Sequence, residues 1–196
     1  ITEQLAPTRA EEKANEDTQD KERQLSKLLG TLCHAFLEAF CLSAFDPEVT
    51  LHALAPRWQR KLIRLGVDEA QAEARIVETQ RELLLCLNGA NRWVFDSVGV
   101  QAECELKLAT SERQGDEEYH KHRVVDRTLV VNGERWIIDF KTSHKQEAQT
   151  EEEFIASQKE EYRPQLESYG ELFRGFEDTP QRLALLLTSI DALVEL

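Results

Sequence analysis

Two aspartates and a lysine stand within otherwise hydrophobic sequence in RVVDRTLVVNGERWIIDFKTS, residues 123–143. Asp126 and Asp139 lie on either side of an Asn-Gly pair, and Lys141 follows the second aspartate by two residues. Carboxylate oxygens are the ligands that Mg²⁺ prefers, and a lysine adds a compact positive charge suited to a phosphate group. The residue types therefore suggest metal-assisted chemistry on a phosphate ester.

The Asn-Gly pair predicts how the two aspartates face each other. Between hydrophobic runs, Asn-Gly at 132–133 favours a two-residue type I′ hairpin turn, which places Val131 opposite Glu134. Facing residues then have numbers that sum to 265, so Asp126 lies across from Asp139 with Cβ atoms about 5 Å apart.

The hairpin has two unequal faces in this register. The face of the aspartates also holds Lys141, Ile137 and Thr128. The opposite face is expected to pack on the core, and it collects Val125, Leu129, Val131, Trp136, Ile138 and Phe140. Facing like charges destabilise a sheet unless one carboxyl keeps a proton or a cation lies between them. A divalent metal ion resolves this conflict, whereas the alternative is a pair of ordinary aspartates at strand ends.

The rest of the chain must supply the elements that hold this hairpin. Apolar spacing and breaking residues predict helices at 24–45, about 50–65, 68–87, 151–160 and 164–176. Strands are predicted from about 98 to 108, at 123–131 and 134–141, in RLALLLTSI, and in a short stretch to Leu196, with a polar loop after Leu108. This order predicts an α/β protein in which helices flank a mixed sheet.

Length and composition predict a single domain. The 196 residues suit an acidic lead-in at 1–22 and one domain at 23–196, with a helical part at 23–90 and a sheet core at 91–196. The net charge of −13 disfavours a stand-alone nucleic-acid-binding protein. No apolar run of membrane-spanning length is predicted, so no membrane partner is expected. Because Cys33, Cys41, Cys86 and Cys104 match no metal motif, we expect buried thiols in a reducing compartment.

The combination of "IIDFKTS" with the QxxxY spacing in "QLESY" and the upstream "GTLCHAFLEAF" resembles a known family. It is similar to the RecB-type branch of the PD-(D/E)XK nuclease superfamily, and it looks like the C-terminal nuclease domain of UvrD/Rep helicases and exonuclease V beta subunits. The resemblance covers roughly residues 30–196. It implies a restriction-endonuclease-like fold with an N-terminal helical region.

The resemblance also implies a role for individual residues. The implied metal ligands are His34, Asp126, Asp139 and the carbonyl of Phe140. Lys141 matches the catalytic lysine, and Gln165 and Tyr169 match the motif that positions the strand. Glu103 matches a further acidic position, for which Glu105 competes.

The function implied by the resemblance is a Mg²⁺-dependent DNA exonuclease, with Mn²⁺ as a substitute, in recombination and repair. Single-stranded DNA, a helicase domain in the same longer chain and other subunits are the expected partners, in the bacterial cytoplasm. No cysteine follows Cys104, so no iron–sulfur cluster is expected, and no GxxxxGK[ST] motif is present to bind ATP.

Two other functions stay open on the sequence. A nuclease-like scaffold without turnover, which binds DNA or docks in a helicase complex, is favoured by the acidic charge and by Arg123, where the family often has glycine. A helical interaction module with a purely structural hairpin would show no response to metal ions.

Overall fold

A computed structural model describes the backbone of residues 9–43, 45–96, 101–114 and 117–196. Side chains are described for residues 19–43, 45–96, 101–109 and 123–196. Three helices precede the sheet: α1 (Arg9–Leu42), α2 (Pro47–Arg64) and α3 (Glu69–Asn88). A short 3₁₀ helix, Arg92–Phe95, leads from α3 towards the first strand. Residues 1–8 of the predicted lead-in, and Val98 and Val100 of the first predicted strand, lie outside the described residues.

The described residues form one five-stranded mixed sheet with α4 inserted between its third and fourth strands. The strands and this helix are β1 (Glu103–Gln114), β2 (Glu117–Val131), β3 (Glu134–Lys141), α4 (Glu151–Arg174), β4 (Gln181–Leu187) and β5 (Ala192–Glu195). The spatial order follows the chain order. Only β3 and β4 pair in parallel, which requires the crossover that α4 provides. The predicted mixed sheet flanked by helices is confirmed.

The two faces of the sheet carry separate hydrophobic clusters. On one face, α1, α2 and α3 pack against alternate strand residues that include Ile138, Phe140 and Leu186. On the other face, α4 packs against the intervening residues, which include Ile137 and Leu185. Because side chains alternate along a strand, β3 and β4 contribute to both clusters at once. The sheet is thereby enclosed between two helical layers.

Side-chain caps fix where the helices begin. Asp46 accepts a hydrogen bond from the Val49 amide at the start of α2, and Asp68 caps α3 in the same way. Thr150 and Glu153 form a reciprocal capping box at the start of α4. The predicted cap of α3 at Asp68 and the predicted start of α4 near residue 151 are therefore confirmed.

Two predicted boundaries are wrong. The polar stretch after Leu108 was expected to be a loop, but β1 and β2 stay paired as far as Gln114 opposite Glu117. The pairing of the two strand backbones thus continues beyond the predicted strand end. The two helices predicted on either side of Pro164 are one continuous α4. Pro164 lies on the exposed side of the helix, where water can serve the carbonyl that the proline leaves unpaired.

By length and composition alone, Gln19–Leu42 is long and apolar enough to cross a membrane, which the sequence analysis did not anticipate. In the fold this part of α1 is a core helix. Its apolar side, with Leu32, Phe36 and Leu37, is buried against the other helices and the sheet.

Candidate active site

The hairpin at the centre of the sheet has the predicted register from its turn to the pair Arg127–Ile138, but the predicted pair Asp126–Asp139 is not part of the ladder. Val131 pairs with Glu134 and Arg127 with Ile138, and the turn residues Asn132 and Gly133 both have positive φ angles, of 54° and 81°. These angles belong to a type I′ turn. The ladder ends at the pair Arg127–Ile138, one residue before the two aspartates.

At this point the carboxylate of Asp126 takes over from the backbone ladder. Its Oδ2 accepts a hydrogen bond of 2.6 Å from the backbone amide of Phe140, the residue after Asp139. The alternation of β2 also changes here. Val125 was expected on the face of Leu129, but it packs with Ile137 against α4. The prediction for Val125 is wrong because the regular alternation of β2 does not continue through Asp126, whose side chain bonds the Phe140 amide.

Helix α1 brings His34 to Asp126. The Nδ1 atom of His34 lies 3.4 Å from Oδ1 of Asp126, and the imidazole meets the ring of Phe140 edge-on at 6.1 Å. Burial works to lower the pKa of His34, but the hydrogen bond and charge of Asp126, with the charges of Asp139 and Glu105, raise it overall. Gly30, one turn earlier, lets α1 lie close to the strand, since a Cβ there would be 3.3 Å from Oγ1 of Thr142.

The acidic residue that joins His34 and Asp126 is Glu105 rather than Glu103. Glu105 Oε1 lies 3.9 Å from His34 Nδ1, and one ligand atom from each of Glu105, His34 and Asp126 lies within 4.8 Å of the others. Glu103 is exposed to solvent. Glu105 has a φ angle of 49°, so the regular alternation of β1 is interrupted at this residue. Burial, followed by the charge of Asp126, raises the pKa of Glu105.

Asp139 is held from the other side of the sheet by α4. Gln165 donates its Nε2 to Asp139 Oδ1 at 2.8 Å and also lies 2.7 Å from the hydroxyl of Tyr169. Tyr169 is buried, with 4% of its surface exposed. The resemblance assigns this pair to positioning a DNA strand, whereas in the structure their polar atoms orient Asp139.

Lys141 pairs with Asp139 and rests on an aromatic ring. Its Nζ lies 2.7 Å from Asp139 Oδ2 and 3.9 Å from the centroid of the Tyr162 ring. Burial raises the pKa of Tyr162 to about 12, so the phenol stays neutral at physiological pH. Tyr162 was missed in the sequence, because it lay in the gap expected between two helices. A continuous α4 would have placed it one turn before Gln165.

The charge on Asp139 is unfavourable in this setting. Burial, followed by the negative charge of Asp126, raises the pKa of Asp139 to about 6 despite the nearby Lys141. Its Oδ2 is buried and, apart from the ion pair with Lys141, has no well-oriented hydrogen bond among the described residues. The single ion pair with Lys141 therefore does not offset the burial of Asp139 and the nearby charge of Asp126.

The donor set fits a hard divalent cation. One ligand atom from each of His34, Glu105 and Asp126 lies within 4.8 Å of the others. Oδ2 of Asp139, which among the described residues contacts Lys141 but has no well-oriented hydrogen bond, is a further acceptor of the kind that a metal ion satisfies. His34, Lys141 and Tyr162 line one cleft between α1, α3 and the end of β3. A substrate can thus reach the site from this side.

The same cleft extends to a second acid–histidine group. His144 lies 2.8 Å from the buried Glu82, and Glu78 completes a cluster within 4.8 Å. Glu78 and Glu82 are four residues apart on α3, which is the one sequence signal for this group.

Comparison with family models decides the assignment. The model for the PD-(D/E)XK nuclease superfamily matches residues 8–192. The chain belongs to the PD-(D/E)XK nuclease superfamily. Its mixed sheet and flanking helices are those of the restriction-endonuclease-like fold. No curated protein matches the chain in a sequence search.

Membership of the PD-(D/E)XK superfamily has consequences for activity. These proteins are in general metal-dependent nucleases, so nuclease activity with a divalent metal ion is the expected chemistry, and DNA is the implied substrate. The match places the hairpin with Asp126, Asp139 and Lys141 within the family's own span.

Proposed function

We propose that this chain is the nuclease part of a bacterial helicase–nuclease, in the cytoplasm, that degrades single-stranded DNA from an end during recombination and repair. Mg²⁺, or Mn²⁺ in its place, is the proposed cofactor. The observation that carries the nuclease assignment is the convergence of Asp126, Asp139 and Lys141 where β2 and β3 part. The exonuclease mode, the single-stranded substrate, the helicase and the other subunits rest on the resemblance to RecB-type nucleases.

The residues that would hold the cation are His34, Asp126 and Asp139, with Glu105 as the added acid and the Phe140 carbonyl as a further ligand. When bound, a divalent cation supplies a Lewis acid for a phosphate oxygen and a water of lowered pKa. Placing the cation here relieves the repulsion between Asp126 and Asp139 that raises the pKa of Asp139.

Lys141 is the proposed catalytic lysine. Its ammonium group is fixed by Asp139 on one side and by the Tyr162 ring on the other. A fixed positive charge at this position orients an attacking water or stabilises the negative charge that develops on the scissile phosphate. Gln165 and Tyr169 act indirectly, because they set the position of Asp139.

The direct test is cleavage of end-labelled single-stranded DNA by the purified protein in Mg²⁺ and in EDTA. We expect cleavage only in Mg²⁺, and its loss in Asp139→Ala and Lys141→Ala. Asp178→Ala removes an exposed acid and serves as the matched control. The assignment is wrong if the wild type cleaves DNA equally well in Mg²⁺ and in EDTA and if both variants are as active as the wild type. A circular substrate separates an exonuclease, which leaves it intact, from an endonuclease.

A nuclease-like scaffold without turnover, which binds DNA or docks in a helicase complex, is the second candidate. The net charge of −13 favours its docking form, because this charge weakens attraction to DNA. A scaffold need not bind Mg²⁺ or Mn²⁺. DNA binding without cleavage or any metal response would therefore favour the scaffold.

A further inference from the structure

Helix α2 carries a row of basic side chains on a strongly acidic protein. Arg57, Arg60, Lys61 and Arg64 follow each other at spacings of three, one and three residues, so they share one side of the helix. The three arginines are exposed and Lys61 is half-buried. The only acid in α2 is Glu48, in its first turn. We call these four residues the α2 basic stripe.

The carboxylates whose side chains are described do not neutralise the stripe. Among the residues whose side chains are described, none of the four lies within ion-pair distance of a carboxylate. Other surface arginines of this chain do have such partners: Arg182, for example, contacts both Glu134 and Glu195 at 2.8 Å. With a net charge of −13, the chain has acids in excess, yet this patch keeps its positive charge. The stripe is therefore available to an anionic partner.

The stripe is connected to the candidate active site through α1. A groove between α1 and α2 is lined by Lys27, Thr31, Lys61 and Arg64 and, among the described residues, by no carboxylate. Lys27 and Thr31 also line the next groove, together with His34, Glu105 and Asp126. The charge therefore changes along this surface, from acids where a cation would bind to bases further out.

We propose that the α2 basic stripe and Lys27 bind the phosphate backbone of a DNA strand that leads into the site of Asp126 and Asp139. The path of the strand towards the active site rests on the proposed nuclease function. The contact between the phosphates and the stripe rests on the charge and position of the basic side chains. Phosphates need no base-specific partner, and lysine and arginine are the side chains that bind them. A negatively charged polypeptide would fit the charge of the stripe alone, but not its continuity with the catalytic groove.

The length of the surface matches a short stretch of DNA. Lys27 and His34 are seven residues apart on α1, which is about 10 Å along the helix axis. Arg57 and Arg64 are separated by the same distance on α2. At about 3.4 Å per nucleotide in a stacked strand, each interval spans about three nucleotides. A strand that leads away from the scissile phosphate would thus contact each helix over about three nucleotides.

The test measures DNA binding apart from cleavage. Fluorescence anisotropy of 5′-labelled dT20 is recorded in EDTA at several salt concentrations for the wild type, Arg60→Glu, Arg64→Glu and the double variant. The matched control is Arg174→Glu, an exposed arginine in the last turn of α4, just as Arg64 stands in the last turn of α2. Each single change alters the net charge equally, and Arg64→Glu and Arg174→Glu both remove a base from a helix C-terminus.

The expected result is a loss of affinity confined to the stripe. For single strands each lost phosphate contact reduces the slope of log K against log salt by about 0.7, so the double variant should lose about 1.4. Its affinity at low salt should fall at least about tenfold relative to Arg174→Glu. Equal slopes for the double variant and Arg174→Glu would overturn the proposal, as would a wild type that binds polyglutamate through the stripe but does not bind dT20.

Cleavage in Mg²⁺ separates this proposal from the nuclease assignment. We expect the double variant to lower kcat/KM for dT20 through a higher KM, while Arg174→Glu behaves like the wild type. If the wild type binds DNA through the stripe but cleaves nothing, the nuclease assignment fails and the binding surface stands. If the double variant cleaves dT20 with unchanged kcat/KM, the binding surface is wrong and the nuclease assignment stands.

Discussion

Replacing Asp139 with asparagine should stabilise the metal-free protein. Burial and the charge of Asp126 raise the pKa of Asp139 to about 6, whereas an unfolded aspartate titrates at about 3.9. At about 1.4 kcal/mol for each pH unit, the ionised carboxylate destabilises the fold by about 3 kcal/mol at pH 7.5. The asparagine side chain would keep the size and an acceptor for Gln165 but lose the contact with Lys141. We expect Asp139→Asn to gain about 1–3 kcal/mol in EDTA.

The sign of this effect depends on pH. Below pH 4 the carboxyl is protonated in both the folded and the unfolded state, and it contributes no difference. As pH rises from about 4 to about 6, the unfolded chain loses its proton first, so the wild type loses stability through this group and the variant does not. The gain of Asp139→Asn should therefore be absent near pH 4 and complete above pH 7.

Urea denaturation in EDTA, followed by circular dichroism at several pH values, measures this gain. Asp178→Asn is the control, because it removes the same charge from an exposed position. Mg²⁺ should then raise the midpoint of the wild type but not that of Asp139→Asn, since only a ligand that binds the folded state stabilises it. A variant that is less stable than the wild type at pH 7.5, with a difference independent of pH, would refute the reasoning.

Three further changes test other parts of the site. Glu105→Gln should raise the Mg²⁺ concentration for half-maximal cleavage by about 10- to 100-fold, whereas Glu103→Gln, at an exposed position, should not. Tyr162→Leu should lower kcat by about 2- to 30-fold through loss of a cation–π contact worth about 0.5–2 kcal/mol, and Tyr162→Phe should restore it; equal kcat for all three proteins would contradict this role. Arg127→Met should destabilise the fold by about 2–5 kcal/mol in urea, because the buried guanidinium donates to the carbonyls of Val94 and Asp96, while the exposed Arg174→Met should change little.

The hairpin could be predicted because local chemistry fixes it. An Asn-Gly turn with two positive φ angles permits one register, and this register follows from residues 131–134 alone. The start of α3 was predictable for the same reason, since the cap at Asp68 acts within one turn of the helix. The mixed sheet followed from the order of such elements.

The residues around the aspartates depend on interactions that are distant in sequence. Glu105 has a positive φ angle, and Asp126 replaces a backbone partner of Phe140. Regular alternation cannot anticipate either feature, so it misplaced Val125 and could not distinguish Glu105 from Glu103, which the resemblance put first. Tyr162 reaches Lys141 only because α4 continues through Pro164, which sequence rules treat as a helix start.

The sequence also could not reveal the state of charge at the site. Placing His34 within 3.4 Å of Asp126 requires α1 to pack against the end of β3 at Gly30. On the other side of the sheet, Asp139 is buried beside Gln165 of α4, and this burial raises its pKa. Tertiary structure thus gives two strand aspartates the surroundings on which the proposed cation site depends.

Calorimetric titration of the purified protein with Mn²⁺ at pH 7.5 tests the central claim most directly. The claim is that one divalent cation is held where Asp126 and Asp139 converge. We predict saturable binding by the wild type, loss of this binding in both Asp126→Asn and Asp139→Asn, and its retention in Lys141→Met, which keeps both carboxylates. Absence of binding to the wild type, or undiminished binding to both asparagine variants, would contradict the claim.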